Sequence, residues 1–552
     1  MAEFDHIVIG GGASGCTAAA DLVRAGRKVL LLEAGYSNRH PLIDMPPGIF
    51  KLISGSKYMT YHTTPPQPQL DGRQHDIPQG HVLGGGSSVN AQVYMRGRPS
   101  DYEEWDRLMA GNSVSAPWNW DTMLALFRDM EGNDRLSDGY HGTSGPLLVS
   151  DPGHIDKVSR WFIQSVQEIG VPYTHDFNGP HQPGVGFYQF MNRAGHRCSA
   201  ADAMIDPIKG DPLLTIRLRA RVERLLVENG VCIGVEYRDR AGRGHRAEAS
   251  GDVILAAGAL ITPKLLMLSG VGPADQLRRH GIEVIADLPG VGSRLVDHPE
   301  VPLIAQTVGP WGYFGQGEGF RMLKHFLNFK LFGTGPINSV GFEAGAFFNP
   351  ADPTADPTVQ AFCIPIMYLD RDLRDSIRES HGVTITTVLC RPKARGSVTL
   401  RSADPAAPPI VSPNLLGDPD DMAHMIEGQL FFREALRHGP LGERVARILA
   451  PADDAIDPAS MARHCRRFVK TDYHPCATAP MGPDDDAMAV LDATMAVRGV
   501  SGLRVGDMSA PPDLIAGNTN ALAMVLGRRC AAFVLGTDRA VENTSISKGG
   551  RS

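Results

Sequence analysis

Nowhere in this chain do apolar residues run for the roughly 18 positions that a bilayer-spanning helix needs, which excludes an α-helical membrane span. Basic residues do not cluster either. The 54 Lys and Arg are scattered among 61 Asp and Glu, for a net charge of −7, and nothing suggests nucleic acid or an anionic membrane as a partner. The eight cysteines, at positions 16, 198, 232, 363, 390, 465, 476 and 530, include no Cys-x-x-Cys pair. Reduced thiols in a cytoplasmic protein are therefore expected, not a disulfide framework. There is no internal repeat, no metal is expected, and a glycine-rich turn beginning ten residues from Met1 leaves no room for a cleavable signal peptide. With 552 residues, 42% of them hydrophobic and 21% charged, the chain reads as globular but too long for one ordinary core, so two domains are expected. The polar end from Glu542 to Ser552 should be disordered.

What the chain does have begins at once. Phe4–Ile9 is a short apolar strand, followed by Gly10-Gly11-Gly12-Ala13-Ser14-Gly15, a small-residue helix from Ser14 to Arg24, and a second apolar strand, Lys28–Leu32, that ends in Glu33. In a Gly-x-Gly-x-x-Gly turn the first glycine permits the tight turn, the second lets backbone approach a pyrophosphate, and the third lets helix and strand pack closely; here these are Gly10, Gly12 and Gly15. The helix N-terminus offers unpaired N–H groups and partial positive charge to phosphates. Glu33 stands where a carboxylate can accept a hydrogen bond from a ribose 2′-OH and would repel a 2′-phosphate, so FAD or NAD is favoured over NADP.

Two further segments bear on which dinucleotide binds. Gly80 to Tyr94 has almost no bulky side chains across Gly84-Gly85-Gly86-Ser87-Ser88, so its backbone can approach phosphates or a flavin edge. Gly258 to Gly272 follows an apolar strand, Asp252–Ala256, and reads as another strand-turn-helix unit with a helix start at Thr262-Pro263. Both segments resemble the signatures of the glucose-methanol-choline (GMC) family of FAD-dependent alcohol oxidoreductases. The first departs from that pattern at His81, where the family usually has Arg or Lys. The likeness continues through Asp101-Tyr102 with Trp105, His141-Gly142-Thr143, Gly290-Val291-Gly292 with Asp297-His298, Arg391-Pro392 with Arg395-Gly396-Ser397, and residues 474–535, and so covers nearly the whole chain.

The resemblance implies where the chemistry lies. His474-Pro475-Cys476-Ala477-Thr478 is similar to the family's His-Pro-x-Gly-Thr segment, with Ala477 in place of glycine, and it makes His474 the catalytic histidine. Asn518, 44 residues later, stands at the family's second catalytic position. Oxidising an alcohol through a flavin requires loss of the hydroxyl proton and of a hydride from carbon. A neutral imidazole is the natural base near pH 7, giving an expected rise in rate through about pH 6–8. Asn518 can donate a hydrogen bond to the same oxygen without competing as a base. Cys476 would be an unneeded nucleophile, and His62, His81 and His298 read as mainly structural.

The resemblance also assigns the FAD contacts. Glu33 should hold the adenosine ribose, Gly84 to Ser88 the pyrophosphate side, and Asn90, Ala91 and Val93 the isoalloxazine. Val222 should meet adenine, Asp507 and Met508 the ribityl and pyrophosphate, and Asn520-Ala521 the pyrimidine edge; Ala256 completes the set. Some relatives attach FAD covalently through a histidine where this chain has Val89, so noncovalent FAD is expected.

The fold class is then α/β (α+β overall). A Rossmann-like FAD domain with a parallel sheet should comprise residues 1–155, 205–300 and 475–552. A substrate domain with a mainly antiparallel sheet should comprise 156–204 and 301–474, using strands such as Val383–Leu389 and Ser397–Leu400. Trp311–Phe332 could be a lid or wall of the substrate channel, or equally a helical surface insert. The expected reaction converts a primary alcohol to an aldehyde, with O2 or a quinone-like compound as acceptor. Candidate substrates are sorbose or another polyol, aryl or furfuryl alcohols, a polyether end, or the primary hydroxyl of a xenobiotic such as chloramphenicol. Choline is disfavoured, because no aromatic cage with an acid can be located. The alternative is a hydroxynitrile lyase of the same family. An NAD-dependent dehydrogenase would leave 80–94 and 502–521 without a role. The sequence does not give the oligomeric state.

Overall fold

A computed structural model describes residues 2–114, 116–373, 376–452 and 457–538, and the expected disorder of 542–552 lies outside this set. Five strands form a parallel sheet in the order Leu214–Leu218, Val29–Glu33, His6–Ile9, Val253–Leu255, Leu503–Val505. The three central strands are, apart from His6 and Glu33, Val, Leu and Ile runs, and they are buried at every position, as parallel strands covered on both faces must be. Ile7 pairs with Leu30 on one side and Val253 on the other, so the glycine-rich turn leaves the middle of the sheet. The helix after that turn, Ala13–Arg24, packs against the C-terminal helix Asn520–Leu535. The helix expected at Thr262-Pro263 runs Thr262–Leu268, with its proline in the first turn.

The second large sheet is antiparallel, in the order Val445–Ala450, Pro299–Thr307, Gly382–Leu389, Val359–Ile364, Ala344–Phe348, Gly184–Phe187. One face carries Val383 and Ile385 into an apolar core with the helices Lys157–Glu168 and Pro419–Ala435. The other presents Phe362, Ile364 and Phe347 to a separate aromatic cluster that reaches the cavity described below. The short strand Lys470–Thr471 joins the edge of this sheet by pairing Lys470 with Glu300 and Thr471 with Pro299.

One element departs from expectation. Ser397–Thr399 does not enter the large sheet; it pairs locally with Ile410–Ser412, and only Val398 of its three side chains is buried. The intervening segment, rich in proline at 405, 408 and 409, returns the chain on itself, so the local partner wins over a distant one. Of the two readings of Trp311–Phe332, the helical surface insert is the one found: Gly319–Phe332 form a helix of which only Phe329 is buried, and nothing from 311–332 lines the cavity.

Candidate active site

A cavity of about 520 Å³ runs from the ends of the parallel strands to the aromatic face of the antiparallel sheet. At the sheet end, Gly10, Gly12, Glu33 and Ala256 line it, with Val222 at the side. Gly15 lies behind that wall. A Cβ there would fall 1.9 Å from Gly10 O, so only glycine allows the helix this close to the strand. Glu33 is buried, accepting hydrogen bonds from Gly11 N at 2.7 Å and Gly35 N at 2.6 Å. Burial pushes its carboxyl up to about 7 against the pull of these two donors.

The middle of the cavity is backbone-rich. Asn90, Ala91 and Val93 line it, as do Asp507, Met508 and Asn520. The Asp507 side chain is turned away, accepting from Gly258 N at 2.7 Å, Thr262 Oγ1 at 2.6 Å and Ser509 N at 2.8 Å. It ties the end of Leu503–Val505 to the turn before Thr262–Leu268. The Gly84–Ser88 assignment needs correction: Gly84 and Ser88 do not reach the cavity, and Gly85 and Gly86 form the wall there. The Ser88 hydroxyl is spent on Leu83 O at 2.7 Å, and Gly84 N donates to Gly11 O at 2.6 Å, so both brace the loop from behind. Ala521 likewise faces the helix packing, not the cavity.

At the far end the Pro299–Thr471 pairing brings two histidines together. His298 Nδ1 lies 3.0 Å from His474 Nδ1, with the rings perpendicular at 88°. His298 Nε2 faces two carbonyls, Cys390 O at 3.1 Å and Ile515 O at 3.0 Å, so this nitrogen must carry the proton. Burial lowers His298 to about 4 and keeps the ring neutral, which leaves its Nδ1 as an acceptor. His474 Nδ1–H is then the donor between the rings, and His474 Nε2 is bare. Asn518 Nδ2 lies 3.4 Å from that nitrogen, and Gln360 Nε2, donating to Asn518 Oδ1 at 3.3 Å, fixes the direction of the amide. Asp297 Oδ1 accepts from His474 N at 2.9 Å, and burial pushes Asp297 up to about 7. Burial, with His298 and Lys470 nearby, holds His474 itself well below the ordinary imidazole value of 6.5.

Beside the histidines is a buried charge cluster. Lys470 Nζ pairs with Glu300, lies 3.9 Å from Asp370 Oδ1, and reaches Tyr473 OH at 3.3 Å. Burial works against its charge, but Asp370, Glu300 and Asp472 together hold the ammonium above its ordinary range. Glu300, Lys470, Asp472 and Tyr473 all line the cavity.

Family models described as GMC oxidoreductase match residues 4–300 and 392–527. An alcohol dehydrogenase [acceptor] of Pseudomonas putida is 35% identical over 96% of each chain. An oxygen-dependent choline dehydrogenase of Rhizobium etli is 34% identical over 97% of this chain and 96% of its own. Among solved structures, pyridoxine 4-oxidase from Mesorbium loti superposes with a TM-score of 0.85 at 28% identity, covering 96% of this chain and 98% of that one. The chain belongs to the GMC oxidoreductase family. It is an FAD-dependent oxidoreductase acting on CH–OH donors.

The cavity of this GMC oxidoreductase fits that cofactor. Around the position of a Cβ on Gly12 the nearest atom is Ala256 O at 3.9 Å, and around Gly86 there is none within 4 Å, so both glycines leave open space on the cavity wall. His62 also lines the cavity, and its buried Nδ1 has no partner among the described residues. Burial lowers this histidine to about 4. His81 lines the wall too, with its ring edge-on to Tyr36 at 5.9 Å.

Site residues that escaped the sequence reading include His298, Gln360, Glu300, Lys470, Asp472 and Tyr473. One ligand atom from each of His298, Asp472 and His474 lies within 4.8 Å of the others, but the His–His hydrogen bond makes this a proton-holding group. Asp297-His298 was visible as a motif, yet its role depends on a strand pairing between residues about 170 positions apart.

Proposed function

We propose that this enzyme oxidises an uncharged aromatic or otherwise apolar primary alcohol to its aldehyde, with His474 as base and Asn518 as hydrogen-bond donor to the reacting oxygen. The observation that carries the reading is the chain of contacts from two backbone carbonyls through His298 to His474, which leaves Nε2 unprotonated and directed toward Asn518. FAD, when bound, supplies the hydride acceptor. Residues 1–155, 205–300 and 475–552 would form its binding body, with Glu33 at the ribose and Gly12, Gly85 and Gly86 along the phosphates. In the reaction His474 Nε2 takes the hydroxyl proton, while His298 keeps the ring oriented. The amide of Asn518, locked by Gln360, steadies the oxygen as negative charge develops.

The substrate class follows from the walls. Phe50 and Phe342 stack at 5.5 Å with an interplanar angle of 4°, and with Phe362 and Tyr368 they line the cavity. The Glu300 carboxylate, which could meet a cation, is already paired with Lys470. An aryl or furfuryl alcohol therefore suits the cavity better than sorbose or choline. Pyridoxine, named for the solved relative, is itself an aromatic alcohol. The test is anaerobic bleaching of the flavin absorbance by a panel of benzyl alcohol, furfuryl alcohol, sorbose and choline. Rapid bleaching by the two aromatic alcohols supports the reading. Preference for choline would overturn the substrate class, and no bleaching by any alcohol would favour a lyase. Repeating turnover with O2 and with an artificial quinone decides the acceptor.

Three results are expected from the site itself. The reductive rate should be level from neutral to alkaline pH, because His474 is already neutral there. Its fall should come on the acid side of 6.5, not across the range an unperturbed imidazole would give; stopped-flow rates against pH check this. Glu33→Ala should weaken FAD binding by about 1.5–3 kcal/mol, the worth of a charge-assisted hydrogen bond. It should purify with less flavin and regain it on adding excess; full occupancy at low protein concentration would remove Glu33 from the site. Val89 cannot form a covalent flavin link, so acid precipitation should release all the yellow colour to the supernatant, and the denatured chain should have its unmodified mass.

A further inference from the structure

Thirteen large hydrophobic side chains are exposed among the described residues, and seven of them sit on the helix Gly319–Phe332. At 100° per residue, Phe320, Leu323, Leu327 and Leu331 form one row, and Met322 and Phe326 form a second beside it. The two rows make an apolar face over about half the circumference, with Lys330 between them. Phe320, Leu331 and Phe332 are 81%, 70% and 71% exposed. The helix is held to the body through Phe329, which packs near the His196 ring at 6.1 Å and closes over Gly195. A patch of this kind on a globular protein marks a docking surface.

Its charge indicates what docks. The helix has no acidic residue but carries Arg321, Lys324 and Lys330, in a chain whose net charge is −7. The sequence-level expectation against an anionic membrane rested on the whole chain and on the lack of a basic run; along this helix Lys330 stands within the apolar face, Lys324 at its edge and Arg321 on the far side, with no acid among them. A second copy packed helix to helix would bring six cations together with no acid on either helix. The helix also lies in 301–391, between the two matched family spans.

We propose that Gly319–Phe332 docks this enzyme onto the surface of an anionic phospholipid bilayer, with Phe320, Leu323, Leu327 and Leu331 entering the acyl boundary and Arg321, Lys324 and Lys330 meeting lipid phosphates. The attachment is peripheral, since no helix is long and apolar enough to cross a membrane among the described residues. The turn after the helix, Pro336–Asn338, packs on Pro46–Gly48, and Gly341 sits against Phe50 of the cavity wall. The docking helix is thus linked, through Pro336–Asn338 and Gly341, to the aromatic side of the substrate cavity. The docking itself does not depend on which alcohol is oxidised.

The experiment is vesicle co-sedimentation of the FAD-loaded enzyme at low salt. Phosphatidylcholine vesicles with and without phosphatidylglycerol serve as the lipid, and light scattering reports oligomeric state. Binding should favour the phosphatidylglycerol vesicles by about tenfold or more and weaken with salt. Replacing Arg321, Lys324 and Lys330 together by Gln should lower partitioning by about a hundredfold, at roughly fivefold per cation. Leu323→Ser with Leu327→Ser and Leu331→Ser should abolish binding to both vesicle types. Both variants should keep the wild-type flavin spectrum and turnover of a water-soluble alcohol. Absence of wild-type binding to either vesicle, or binding that neither variant reduces, would overturn the proposal. So would a wild-type dimer that the serine variant dissolves without any vesicle binding, because the stripe would then be covered by a second copy.

Discussion

His474→Ala should slow anaerobic flavin reduction by about 10²- to 10⁴-fold, the usual worth of a positioned general base, while the purified protein keeps its flavin. The two effects separate because the flavin-facing wall is built from other segments, chiefly 10–33, 85–93 and 507–520. The variant should also lose the acid-side fall in rate that titration of His474 gives the wild type. Asn518→Ala should be milder, at about 2–4 kcal/mol for one donor to a developing oxyanion, and should leave that acid-side fall in place. Stopped-flow reduction of matched, flavin-loaded samples checks both variants. Near-normal reduction in His474→Ala would move the base elsewhere in the cavity.

Lys470→Met should cost about 3–5 kcal/mol of stability, because it leaves the Glu300 carboxylate buried without its cation. Lys470 and Glu300 side chains are only 6% and 5% exposed, so water does little to compensate. The neighbouring Tyr473–Asp370 hydrogen bonds, at 2.7 and 2.9 Å, survive the substitution and keep the cluster from collapsing altogether. Adding Glu300→Gln to Lys470→Met removes the stranded charge and should recover most of the loss. Chemical denaturation of the wild type, the two single variants and the double variant measures the coupling directly. Additive effects in that cycle would show that the pair contributes nothing jointly.

The dinucleotide-binding unit was legible because its signal is local. Gly10, Gly12, Gly15 and Glu33 lie within 24 residues, and strand, turn, helix and strand follow one another without long-range choices. His474 and Asn518 were legible through motif resemblance, and the structure brings their side chains to 3.4 Å. Position along the motif did not separate wall from support. Gly84, Ser88 and Ala521 belong to the right segments but face inward to packing: the tight loop alternates which of its residues meet the cavity, and the helix Asn520–Leu535 turns Ala521 away from the side that Asn520 presents. His298 read as structural for a different reason. Nothing in Asp297-His298-Pro299-Glu300 reveals that Thr471 will pair with Pro299 and bring His474 alongside. The charge cluster was hidden in the same way, since Glu300, Asp370 and Lys470 come from three separate stretches. The exposed stripe on Gly319–Phe332 was visible as apolar content, but only the fold shows which face is left uncovered.

With His474 as the proposed base, the proton acceptor is mounted on one part of the molecule and the glycine-rich wall on another. Lys470 and Thr471 are fastened to the antiparallel sheet by pairing with Glu300 and Pro299, and the His474 backbone is held by Asp297, whereas the glycine-rich wall belongs to the parallel sheet. The seam between the two sheets would then act as a calibration joint: a slip of less than an ångström there would misalign proton acceptor and hydride acceptor while each half stayed intact. On gentle heating, turnover should decline before the flavin is released, and the gap between the two temperatures measures how tightly that joint is held.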